Sequence, residues 1–266
     1  MLVRPNLTWT TLWSEYVQGT EATKSGIAAV PWGVGDLAKA VVLSLLLMTL
    51  ALVGLLALGA GLGRVGLSLP VSRVAIVVIL IVVQNVSFLV GVWAFGLRKH
   101  RVGLDCLGLR PYATARGCGY AVLAFLGALL FNVFYNLVVL GGLDRELRPT
   151  PVLPLFGGGL LGFALALALA ALLVPFAEEV FFRGFLLPGL ARRFGFVSGA
   201  LICALLFGAA HLNPNTFVPL SFFGLVLAAL YGATGSILPG IVIHSVNNSL
   251  ALLVAYLLEA GLLTAP

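Results

Sequence analysis

Seven apolar stretches, most of them near the length of a bilayer crossing, leave this chain almost no way to fold in water. They fall at 40–62, 74–97, 118–140, 157–187, 196–212, 217–232 and 237–258. A transmembrane helix takes about 20 consecutive apolar residues. The stretch at 157–187 is overlong and those at 196–212 and 217–232 are short. Of the 266 residues 61% are hydrophobic and only 9% charged, whereas about a quarter of an ordinary soluble domain is charged. No soluble fold hides that much apolar surface beneath so few charges. The expected fold is all-α: a polytopic membrane helix bundle of about seven transmembrane helices, six to eight at the limits, forming one transmembrane domain over 40–266.

Residues 1–39 are polar enough to stay outside the bilayer, as a cytoplasmic or interfacial segment. Within it Leu12, Trp13, Tyr16 and Val17 suit a short amphipathic helix lying on the membrane surface; a loosely ordered tail is the alternative. Arg4 is followed by Asn6, Thr8, Thr10 and Thr11, not by an apolar core and a small-residue cleavage site, so no signal peptide is expected. The net charge of +6 would suggest nucleic acid in a soluble protein. Here the basic residues sit mostly in the gaps between apolar runs and read as topology determinants, so no nucleic-acid partner is expected. A cytoplasmic N-terminus puts Arg4, Lys24, Lys39, Arg98, Lys99, Arg101, Arg110, Arg116, Arg183, Arg192 and Arg193 on the cytoplasmic side. The far side then holds only Arg64, Arg73, Arg145 and Arg148. That asymmetry sets the expected orientation. Short tails without organelle signals make a prokaryotic plasma membrane the expected location. Cys106, Cys118 and Cys203 are scattered and form no metal or disulfide pattern.

Ionisable residues inside membrane spans are costly and mark function or a partner. They gather in the last part of the chain. Glu178, Glu179 and Arg183 lie in the fourth stretch, His211 closes the fifth, and His244 and Asn248 lie in the seventh. The first three stretches hold only Gln84, Asn85, Asn132 and Asn136, which read as interhelical hydrogen-bond glue. Glu179 and Arg183 are four apart and face each other on a helix, while Glu178 points about 100° away. One glutamate is thus neutralised and its neighbour left for other work. Phe207 and His211, and likewise His244 and Asn248, share helix faces by the same spacing.

A glutamate and a histidine together suit general-base activation of water. A second histidine and a carboxamide suit stabilisation of an oxyanion in a dry site. Ser245 and Ser249 flank the last motif without a better claim to nucleophilic attack. Zinc bound by Glu178, His211 and His244 is the rival account, weakened by the absence of HExxH and by asparagine being a poor zinc ligand.

These residues carry a resemblance. The order Glu178-Glu179-Val180-Phe181-Phe182-Arg183, then Phe207-Gly208-Ala209-Ala210-His211, then His244-Ser245-Val246-Asn247-Asn248 is similar to the EExxxR, FxxxH and HxxxN motifs of the CPBP intramembrane proteases. That family is also called the CAAX-protease and bacteriocin-processing (Abi) family. Leu107-Gly108-Leu109-Arg110-Pro111 resembles its shorter upstream motif. The strong match covers roughly 168–252, within an expected catalytic core of about 157–258. The resemblance implies a helical intramembrane endopeptidase with a conical cavity open to the cytosol, acting on a membrane protein or peptide. By the same resemblance Glu178 with His211 activates water and His244 with Asn248 forms the oxyanion site. Glu179, Arg183 and Phe207 support them. Family mechanisms include both zinc-dependent and glutamate-dependent descriptions, so the expectation is no cofactor, with zinc as the alternative. A non-proteolytic scaffold or immunity protein of the same fold is the competing function. A proton-coupled transporter ranks below it, since no internal repeat is visible. Substrate, prenylation and oligomeric state are left open by the sequence.

Overall fold

A computed structural model describes residues 30–64, 72–112, 115–140 and 152–263. The interfacial helix expected at 12–17 lies outside the described residues. Every regular element among them is helical. The long helices are α1 (Val34–Arg64), α2 (Arg73–Arg98), α3 (Ala115–Phe134, prolonged by a wide turn Tyr135–Leu140), α4 (Gly159–Phe194), α5 (Phe196–Ala210), α6 (Pro214–Thr234) and α7 (Leu238–Glu259). Six of them are long and apolar enough to cross a bilayer, whereas α5 has only 15 residues. The chain is an integral membrane protein. Outward faces of α1 and α3 carry bare leucine and valine, among them Leu45, Leu56, Leu123 and Leu130, as a lipid-facing surface requires.

Contacts at the helix ends show how the bundle is threaded. At one end the Trp32 indole Nε1 donates to the Phe185 carbonyl at 2.9 Å, and Arg192 donates to the carbonyls of Val30 and Trp32. Asp36, at the start of α1, pairs with Lys99 and His100 beyond α2. At that same end Ser236 Oγ donates to the Arg110 carbonyl at 2.6 Å and the Ile237 amide to the Gly108 carbonyl at 3.0 Å. At the opposite end Phe163 of α4 stacks on Tyr256 of α7 at 4.7 Å, and Leu153 and Phe156 pack with Val78 of α2. Successive helices therefore run in alternating directions, and α1 begins at the end opposite to the one where α7 finishes. Arg98, Lys99, Arg101, Arg110, Arg192 and Arg193 all lie at the Trp32 end, with Arg64 and Arg73 at the other.

Several boundaries differ from those read in the sequence. The first helix begins at Val34, not at residue 40, because Asp36 is neutralised by its neighbours and its carboxylate accepts the Gly33 amide. The overlong fourth stretch is one helix of 36 residues. It is the central one: every residue of 177–190 is buried, as for a helix enclosed by others on all sides.

The short α5 does not reach the far end. Phe207 of α5 and Phe223 of α6 both meet the His244 ring, at 5.7 and 5.3 Å, which sets a common level. Pro214 lies nine residues back from Phe223, about 13 Å by helical rise, and Glu259 lies fifteen residues beyond His244, about 22 Å. The tip of the α5–α6 hairpin thus stops about 9 Å short of the end of α7.

This hairpin depends on small residues. A Cβ built on Gly208 would run into Ser221 Oγ and lie 2.7 Å from the Phe217 carbonyl oxygen, and one on Gly224 3.2 Å from Ala204 Cα. Gly208→Ala is accordingly expected to force the pair apart at a cost of about 1–3 kcal/mol, read as a lowered melting temperature in detergent. An unchanged melt would show that α6 yields at no cost.

Candidate active site

The chemistry-bearing part of α4 lies between two prolines. Pro175 and Pro188 have no N–H to close a helical turn, and a stretch of wider, π-type turns precedes each, at Leu167–Leu173 and Val180–Leu186. Such turns rearrange the hydrogen-bond ladder locally and recur at functional sites. Glu178 and Glu179 stand between the two stretches, and Arg183 lies within the second.

All three side chains are buried. Arg183 Nη1 donates to Glu179 Oε1 at 2.7 Å and Nη2 to the Gly224 carbonyl of α6 at 3.1 Å. The guanidinium also lies 4.5 Å from the centre of the Phe207 ring, a cation–π contact that partly replaces lost hydration. Glu179 Oε1 has a second partner, His244 Nδ1 of α7, at 3.0 Å. A carboxylate accepts, so Nδ1 carries the proton and Nε2 is the remaining ring nitrogen. That Nε2 lies 3.8 Å from Glu178 Oε2, beyond hydrogen-bond range. Glu178 Oε2 is buried with no hydrogen-bond partner among the described residues.

Aromatic rings enclose this polar chain. Phe207 stands between the two histidines, edge-on to His211 at 5.0 Å and to His244 at 5.7 Å, and Phe223 meets His244 from α6. His211 ends α5 as its C-terminal cap, with Nδ1 against the Phe207 carbonyl at 2.9 Å. A carbonyl also only accepts, so Nε2 is again the nitrogen left over. Asn248, one turn beyond His244, donates Nδ2–H to the Ala170 carbonyl of α4 at 2.9 Å.

Glu178, Glu179, Arg183 and His244 are therefore brought together by direct polar approach. His211 joins them through Phe207, and Asn248 is turned toward the backbone of α4. The i,i+4 pair of Glu179 and Arg183 stands as its spacing indicates. Glu179 also holds His244, which the sequence left unpartnered. Phe223, the Gly224 carbonyl and the Ala170 carbonyl were not legible as site components, because an aromatic or backbone group carries no sequence signal for the helix it will meet. Asn132 and Asn136 depart from their expected role as interhelical glue. They bond to each other along α3, and Asn85 bonds its own helix at the Ile81 carbonyl.

Among the described residues no group of three His, Cys, Asp or Glu side chains is placed to hold a metal ion. Glu178, His211 and His244, the alternative ligand set, do not form such a group in this arrangement.

Residues 160–250 match the family model described as Type II CAAX prenyl endopeptidase Rce1-like. No curated protein and no solved structure matches the chain. The matched segment runs from α4 to α7 and holds the whole polar chain just described. The match covers about a third of the chain and supports its likeness to the CPBP/CAAX protease family.

Proposed function

We propose that the chain is an intramembrane endopeptidase in which Glu178 activates a water molecule for attack on a peptide bond. The observation that carries this reading is the buried, unpartnered Glu178 Oε2 facing His244 Nε2 across 3.8 Å. A buried polar atom without a partner costs free energy, and a gap of that size is one that a water bridges. Glu178 takes a proton from the water as its oxygen attacks the carbonyl carbon. His211, fixed by the Phe207 carbonyl, is the second partner of that water. His244, oriented by Glu179 through Nδ1, donates to the tetrahedral oxyanion together with Asn248 when its Nε2 also carries a proton. The Asn248 amide has two N–H groups; one is anchored on Ala170, and the other serves the oxyanion. Breakage of the C–N bond then returns the proton to the leaving amine, giving one carboxylate and one amine product.

The basic Trp32 end faces the cytoplasm in this reading, by the positive-inside rule, with the N-terminus cytoplasmic and a prokaryotic plasma membrane as the location. The α5–α6 tip at His211 then lies on the far side, opposite to the cytosolic opening that the resemblance implies. The matched family is named for prenyl CAAX substrates, so a fluorogenic peptide ending in a prenylated CAAX sequence is the first probe. For native substrates, membranes carrying wild type and Glu178→Ala at equal levels are compared by mass-spectrometric mapping of peptide termini. Termini absent only from the variant support the proposal. Identical maps with an intact cellular phenotype would leave the scaffold reading instead. A metal-free mechanism further requires that EDTA leave turnover of the peptide unchanged. Loss of activity restored by added zinc would overturn that part.

A further inference from the structure

We propose that a carboxamide-lined groove between α3, α6 and α7 binds the substrate as an extended, uncharged stretch of peptide beside the catalytic histidine. The inference rests on the protease reading and adds the means of substrate recognition. Asn132 and Asn136 of α3, Asn215 and Thr216 of α6 and Asn247 of α7 all face one cavity of about 360 Å³. That is within the range of small-ligand sites. Its remaining lining is apolar, and no charged side chain contributes.

Polar side chains at membrane depth are costly, and lipid offers nothing to pair with them. Asn132 is nevertheless exposed within a helix of bilayer length. Pairing inside the groove is incomplete: Asn136 bonds to Asn132, while Asn247 Nδ2 reaches only Asn248 Oδ1, at 3.4 Å. Carboxamides offer donors and acceptors in equal measure without charge. A peptide backbone needs that mixture when it leaves water, since each residue brings one donor and one acceptor. An acyl chain would leave the amides unpaired, and an ionic headgroup would find no counter-charge.

The groove leads to the reaction site. Phe223 forms part of its wall and is the ring that meets His244 at 5.3 Å. Asn247 adjoins Asn248 of the proposed oxyanion site. Exposure of Asn132 at this depth opens the groove sideways toward lipid, so a membrane-embedded segment enters without passing through water. Main-chain hydrogen bonds then supply affinity with little side-chain preference, as in strand-addition recognition.

The test measures binding of a fluorescently labelled peptide ending in a prenylated CAAX sequence to the full chain in lipid nanodiscs. Asn132→Leu and Asn247→Leu are each expected to raise Kd about tenfold, the worth of one well-made hydrogen bond. N-methylation of peptide nitrogens near the scissile bond should weaken binding to the wild type and add little in Asn247→Leu. Leu220→Trp, which fills the groove while removing no polar group, should block binding with an unchanged melting temperature; it serves as the folding control. Wild-type Kd in all these variants, or no binding to the wild type, overturns the proposal. Glu178→Ala should bind the peptide normally and not cleave it. Retained cleavage in that variant would defeat the protease mechanism while leaving the groove measurements standing.

Discussion

Glu178→Ala is expected to lower peptide turnover by about 10³-fold, within the 10²–10⁴ that a positioned general base supplies, while the protein remains folded. Both halves follow from the same atom. Glu178 Oε2 has no hydrogen-bond partner among the described residues, so truncation breaks no hydrogen bond of that atom and removes a buried polar atom that costs stability where it stands. Glu178→Gln separates the roles further, since a carboxamide keeps the shape and cannot accept a proton from water. Both variants should melt at or above the wild-type temperature in detergent and bind the peptide with near-normal Kd. The loss then appears in kcat and not in KM, as for an interaction made in the transition state. Retained turnover in Glu178→Ala, at matched protein level, removes Glu178 from the catalytic role.

Arg183→Leu is expected to behave in the opposite way, by losing the fold. Arg183 is 1% exposed and Glu179 is fully buried. Removing one partner of a buried ion pair leaves an uncompensated charge, at a cost of about 3–5 kcal/mol. The Gly224 carbonyl also loses its donor from Arg183, and α4 loses a tie to α6. Size-exclusion profiles and detergent melts should show aggregation or a large drop in melting temperature. The double variant Glu179→Leu/Arg183→Leu should be less destabilised than Arg183→Leu alone, because no buried charge is then orphaned. It should still be nearly inactive, since His244 Nδ1 has lost Glu179. Additive destabilisation in the double variant would show that the two residues act independently.

The legible parts of this molecule are those set by local periodicity and length. Apolar runs located the helices, and the spacing of Glu179 and Arg183 gave a bond of 2.7 Å on one helix face. Relations across helices were not accessible in the same way. His244 lies 65 residues from Glu179, and Asn248 78 residues from the Ala170 carbonyl; packing alone decides such pairs. Hydropathy also could not show that α5 stops short, because an apolar residue reads the same at any depth. Nor could it distinguish Asn132 as groove lining from Asn132 as a bond between helices, since both put an asparagine in an apolar run.

The early end of the α5–α6 hairpin bears on the lipid as well as on the protein. A leaflet laid over that tip meets a protein shorter there than the flanking helices, and such mismatch is relieved by local thinning of the bilayer. Headgroups and water are then expected to come down toward His211 at the tip. Acyl-chain length in the host membrane therefore becomes a determinant of how readily water reaches the interior, and longer-chain lipids should slow hydrolysis without altering any residue.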